Sequence, residues 1–216
     1  MLLPAGCVEC HGRHLPVGCD AIIAEELALA VARELPAVVA PTLTYGCTGY
    51  AVSGPEMGTL DVSVDTFGHH AREVLEGLCR LGFGRVVAII HHQGTDGPEG
   101  LALRRAAGEI TFARGLAAGG EGWWGGPRHA EIGREFGRIT VLPSVLPAAA
   151  ETVRGDHAGA TETSLMLHLR PESCDLARLD PDEFHYLKTA PAANAEQGAV
   201  MFGALVEAMV AHLRRG

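Results

Sequence analysis

The sequence predicts an α/β domain whose mostly parallel sheet is covered by helices on both faces. Short β-branched runs bounded by Pro or Gly recur at 37–40, 85–90 and 138–142, and they lack the polar alternation of a strand with one wet face. Helical patterns alternate with these runs, and a parallel sheet needs such crossovers. Of the 216 residues, 47% are hydrophobic, which fills a sizeable core and fits one domain over 1–216.

In chain order, residues 2–11 read as a strand that continues extended. A helix follows over 20–34, with Asp20 placed to cap it and Glu25 and Glu26 in its early turns. Ala-Val-Val-Ala at 37–40 is a short strand ahead of Pro41. The helix at 65–81 has Ser63 or Asp65 to cap it, and the strand Arg-Val-Val-Ala-Ile-Ile spans 85–90. Pro98 suits the first position of a helix over 98–107. The glycine-rich stretch 118–127 carries Trp123 and Trp124. It reads either as a flap with a flat apolar surface or as a loop whose tryptophans pack on the body or on a neighbouring subunit. Arg-Ile-Thr-Val-Leu at 138–142, before Pro143, is a third strand. A loop at 155–164 leads into the helical run 165–169, and a last helix covers 199–214.

Seventeen basic residues against 26 acidic ones give a net charge of -9, the wrong sign for nucleic acid or an anionic membrane surface. No apolar run reaches the roughly eighteen residues of a membrane span, and no signal-peptide pattern precedes Cys7, so a soluble cytoplasmic protein is expected. In that reducing compartment structural disulfides are disfavoured, and Cys47, Cys79 and Cys174 read as small apolar residues.

Cys7-Val8-Glu9-Cys10-His11 matches the c-type haem pattern. The strand-helix alternation and the missing export signal oppose haem attachment. A zinc site on Cys7, Cys10 and Cys19 lacks a neighbouring fourth ligand of the usual spacing.

The acidic and imidazole residues beside the cysteines offer another centre. In an extended segment Glu9 and His11 project from one side, and Asp20 follows at a helix start that favours a carboxylate. Such a set suits Zn, Mn or Fe(II); the alternative is a surface pair and a simple cap. His91 and His92 emerge at the carboxyl end of the 85–90 strand, where parallel sheets place their ligands, and one of them is a candidate ligand. Asp156, His157 and Glu162 cluster in the loop before a helix, where apolar packing does not call for them. His69 and His70 read as solvent or interface residues.

Leu3-Pro-Ala-Gly-Cys-Val-Glu9-Cys-His11-Gly-Arg-His14-Leu-Pro-Val-Gly-Cys-Asp20 resembles the creatininase family's L-P-x-G-x-x-E-x-H-G-x-H-L-P-x-G-x-D. His157-Ala-Gly-Ala-Thr-Glu162-Thr-Ser-Leu-Met-Leu is similar to that family's H-A-G-x-x-E-T-S-L-M-L. The segments from Pro41 to Gly46, Met57 to Asp61 and Gly84 to Ile90 keep its order and spacing. The resemblance implies a three-layer α/β/α fold and a hydrolase with two divalent metal ions per chain, assembled as a homo-oligomer, often a hexamer. It assigns Glu9 and His92 to one ion, His11 and Glu162 to the other, and Asp20 to both. His157 becomes the proton donor to the leaving group, and Tyr45, Thr59, Trp123, Trp124 and Asp156 become the candidate substrate contacts.

The third motif departs from the family. Ile90-His91-His92-Gln93-Gly94-Thr95 stands where N-G-H-G-G-N is common, and Cys10 stands where Gln is common. The pocket wall therefore differs, which argues against creatinine itself as substrate. The expected activity is hydrolysis of an amide, lactam or formamide C–N bond in a small polar molecule. Two alternatives are hydrolytic C–C ring opening of a cyclic keto-sugar or cyclitol on the same metals, and a non-catalytic metal-binding assembly protein.

Overall fold

The computed structural model describes residues 1–94 and 96–215. Its main elements follow as β1 (Leu2–Ala5), α1 (Cys19–Glu34), α2 (Val64–Arg80), β2 (Val86–Ile90), α3 (Pro98–Gly119), α4 (His129–Gly133), β3 (Ile139–Pro143), α5 (Ala160–Leu169) and α6 (Ala195–Arg215). β2 lies between β1 and β3 in a parallel sheet. The register sets Ala5 beside Ile90 and Ile90 beside Pro143, so all three strands end at one level.

The stretch 37–40 is not a full strand. Bridges at Leu2↔Val39 and Ala5↔Leu43 line the other edge of β1, with Ala40 N–H donating to Leu2 O and Leu43 N–H to Pro4 O. Pro41 falls inside this ladder with no N–H to give, so the pairing breaks into single bridges.

Successive residues of β1 enter opposite cores, as the period of two requires. Leu2, with Val87, Ile89 and Leu142, packs under α1, α5 and α6. Leu3 and Ala5, with Val86, Ile90 and Ile139, pack under α2 and α3. The result is the three-layer α/β/α arrangement.

Several boundaries differ from those read in the sequence. β1 stops at Ala5, so Glu9 and His11 do not share the face of a strand. α3 runs to Gly119 instead of ending near 107. Its glycines 115 and 119 look like stop signals but are points of close approach. A Cβ on Gly115 would come 2.9 Å from the Trp123 ring, and one on Gly119 2.5 Å from Trp123 Cβ. The stretch 118–127 is therefore partly helix and partly the Trp123–Gly125 turn folded back on α3, not an open flap. α5 begins at Ala160, which puts Glu162 in its first turn and not in the preceding loop.

Candidate metal centre

The chain builds the centre where the parallel strands end. Gly6, just past β1, passes so close to α1 that a Cβ there would lie 2.6 Å from the Asp20 carbonyl carbon and the Ala21 nitrogen. That crossing brings Glu9 and His11 beside Asp20. His11 then turns its Nδ1 back onto Glu9 O at 3.1 Å; a carbonyl only accepts, so Nδ1 carries the proton and Nε2 is free to ligate. His92 is fixed in the opposite tautomer, because its Nε2–H reaches Cys47 O at 3.2 Å.

Two groups of ligand atoms result. In the first, His92 Nδ1 lies 3.0 Å from Glu9 Oε1 and 2.9 Å from Asp20 Oδ2, and Cys7 Sγ lies 3.3 Å from the same nitrogen. In the second, His11 Nε2 lies 3.2 Å from Asp20 Oδ1 and 3.4 Å from Glu162 Oε2, and Cys19 joins His11 and Glu162 within 4.8 Å. Asp20 thus turns one oxygen to each group. His91 approaches Glu162 Oε1 through Nε2 at 3.4 Å, while its Nδ1 meets Ser144 Oγ at 2.6 Å.

These charges are deeply buried: Glu9 is 3% exposed, Asp20 2% and Glu162 8%. Burial alone would raise the Asp20 carboxyl, yet the imidazoles of His11 and His92 hold it well below the carboxylate range. Glu162 is likewise held low against its burial by His11 and His91. In return, and again against burial, His92 is raised to about 10 by Asp20 and Glu9. Imidazole and carboxylate thus favour one another's charged forms, which offsets the burial of the three carboxylates. His11 Nε2 and His91 Nε2 are buried with no aligned hydrogen-bond partner, although carboxylate oxygens surround them. Two unpartnered imidazole nitrogens converging on carboxylate oxygens, in a set of this chemistry, fit a divalent cation.

A cavity of about 250 Å³ opens onto this cluster, lined by Glu9, Asp20, His92, Gln93, Asp156, His157 and Glu162, with Ala51 and Val52. His157 donates Nε2–H to Cys10 O at 2.8 Å and turns Nδ1 toward Glu9 Oε1 at 3.7 Å. Its ring lies between those of His11 and Tyr186. The residues after two site histidines, Gln93 and Ala158, both take left-handed backbone with φ of 50°, a strain seen at functional sites. Asp156 accepts from Thr161 N–H at 2.8 Å and Glu162 N–H at 3.1 Å, which seats the start of α5.

Glu9, His11, Asp20, His92, Glu162 and His157, each singled out in the sequence, therefore meet in one place. Other candidates do not. Trp123 and Trp124 form an aromatic cluster with Phe136, which Phe112 joins, away from the cavity lining, because Trp123 is seated on the glycines of α3. Tyr45 is 63% exposed and does not line the cavity. Thr59 is buried behind the Glu9–His11 segment, where its Oγ1 accepts from Cys10 N–H at 3.1 Å. Thr95, the last residue of the third motif, lies outside the described residues. The sequence offers Cys7 and Cys19 only within a zinc set with Cys10, it gives no sign of Glu99, and of the two histidines the resemblance assigns only His92. Both histidines face the centre.

A family model described as creatininase, creatinine amidohydrolase, matches residues 1–198. The chain belongs to the creatininase family, a family of amide-bond hydrolases. The creatinine amidohydrolase of Pseudomonas putida is 28% identical over 192 residues, covering 83% of this chain and 67% of that protein. The mycofactocin precursor peptide peptidase of Mycobacterium ulcerans (strain Agy99) is 30% identical over 183 residues, covering 80% of this chain. The match spans only 59% of that peptidase's length. A solved structure of manganese creatininase superposes with a TM-score of 0.75 at 22% identity, covering 99% of this chain and 89% of the other.

Proposed function

We propose that this member of the family is a binuclear metal-dependent hydrolase that uses water to cleave or ring-open an amide, lactam or formamide C–N bond in a small polar substrate. The observation that carries the reading is Asp20, whose two oxygens face two separate ligand groups. In this reading Glu9 and His92 hold one ion, His11 and Glu162 the other, and Asp20 bridges them; His91 adds to the second group. Two ions of Zn, Mn or Fe(II) there would acidify water toward neutrality and polarise the scissile carbonyl.

The protein's own part is proton transfer and orientation. With its Nε2–H committed to the Cys10 carbonyl, His157 has Nδ1 available beside Glu9 to take up a proton and return it to the leaving nitrogen. Asp156 acts by fixing the first turn of α5, and so the direction of Glu162. The names of the relatives, an amidohydrolase and a peptide peptidase, both denote C–N bonds. That favours this chemistry over C–C ring opening, and a screen of formamides and lactams against cyclic polyol ketones separates the two.

The test is elemental analysis of anaerobically purified protein beside Asp20→Asn. About two first-row divalent ions per wild-type chain, with metal lost from the variant, is the expected result. One ion per chain, or two retained in full by Asp20→Asn, overturns the bridged binuclear reading.

A further inference from the structure

The six free cysteines are distributed unevenly around the carboxylates. Cys7 is fully buried, with Sγ 3.2 Å from Asp20 Oδ2 and 3.3 Å from His92 Nδ1. Cys19 is fully buried immediately before Asp20, and its Sγ lies within 4.8 Å of ligand atoms of His11 and Glu162. One thiol therefore faces each ligand group. Cys10 does not, although it sits between Glu9 and His11 in sequence; its Sγ accepts from the Tyr186 hydroxyl at 3.9 Å. Among the described residues, Cys47, Cys79 and Cys174 join neither group.

Packing explains Cys19 only in part: it lies in the core with Leu15, Ile23 and Leu27, where a cysteine serves as a small hydrophobe, yet its Sγ also faces His11 and Glu162. Cys7 joins neither core and is set against Asp20 and His92.

We propose that Cys7 and Cys19 are metal ligands, one to each ion, and that they make this centre prefer zinc to manganese. The inference rests on the binuclear reading above. On binding, each Sγ–H bond breaks, the proton passes to solvent and an Sγ–metal bond forms, with no change of oxidation state. Thiolate is a soft donor that zinc accepts readily and manganese poorly, whereas carboxylate and imidazole alone discriminate less between them.

Cobalt(II) titration of chelator-stripped protein tests this, because a thiolate ligand gives a sulfur-to-cobalt absorption band in the near ultraviolet that nitrogen and oxygen ligands do not. The expected result is two cobalt ions per chain with a strong band, about halved in Cys7→Ser and in Cys19→Ser and unchanged in Cys10→Ser. Zinc-over-manganese preference, measured by competition, should fall roughly tenfold or more in the double variant. Two cobalt ions without the band overturn the thiol ligation and leave the binuclear reading standing. One cobalt ion, or none, overturns both. If the serine variants do not fold, X-ray absorption of zinc-loaded wild-type protein decides. A sulfur shell at about 2.3 Å supports the proposal, and nitrogen and oxygen alone at about 2.0–2.1 Å refute it.

Discussion

Asp20 sits in the first turn of α1, where the helix dipole already favours a carboxylate, and His11 and His92 add to that from two sides. His157 lies outside that ligand partition and faces the cavity, so His157→Ala should lower kcat by about 10²–10⁴ while both ions stay bound. Steady-state kinetics with elemental analysis checks this; loss of an ion would recast His157 as a ligand, since its ring nitrogen is also within 4.8 Å of Glu9 and His11 ligand atoms. Glu99 is a different case, fully buried at the start of α3 with neither oxygen hydrogen-bonded. Burial first, then Asp20 and Glu9, raise it from its ordinary 4.5 to about 7, against a lowering by His92. Because the folded chain holds a proton there that the unfolded chain has released, the cost is absent below pH 4.5 and complete above about pH 7. In chelator-treated protein, Glu99→Gln should therefore raise the unfolding free energy at pH 8 by up to ~3 kcal/mol and far less near pH 4.5, read by urea denaturation at both values. Glu9, His11 and His92 were legible in the sequence because polar residues just beyond apolar runs have no packing reason to be there. Glu99 was not, and Cys7 and Cys19 were visible only in a three-cysteine zinc set that their spacing left incomplete. Their direction depends on how irregular backbone past Ala5 and the start of α3 happen to turn.

Regular elements were legible where one physical signal dominated. β2 is an uninterrupted apolar run and is buried along its length, and α2 is capped by Ser63, whose hydroxyl accepts the Thr66 N–H. Boundaries failed where a partner overrode the local signal. Glycine normally weakens a helix, but α3 continues through Gly115 because Trp123 needs the space. Gly115→Leu should thus destabilise the protein by about 1–3 kcal/mol through overpacking, measured by urea denaturation, with kcat unchanged. A fall in kcat at full folding would bring Trp123 and Trp124 back to the substrate. The same reasoning covers residues 37–43, which are strand-like in composition but divided by Pro41, and α5, whose start is drawn back to Ala160 by the Asp156 carboxylate.

At the scale of the molecule, buried carboxylates that need cations tie stability to metal. Returning metal to stripped protein at about 100 times the Kd of each site should add about 2.7 kcal/mol per ion bound and raise Tm by roughly 5–10 °C per ion, followed by calorimetry. An unchanged Tm would mean that the centre does not hold metal in the folded state. The homo-oligomer implied by the resemblance is an expectation for sedimentation, where a species of one chain's mass would refute it. Among the described residues no helix is long and apolar enough to cross a membrane. By itself the sequence determined the layer order, the motif residues and the family, because apolar periodicity and residue spacing are written locally and survive divergence. Only the tertiary structure decided that His91 joins His92 beside the carboxylates, that a thiol stands by each ligand group, and that the tryptophans belong to α3. Those facts depend on the direction of side chains carried by separate elements, and that direction is set by packing between them.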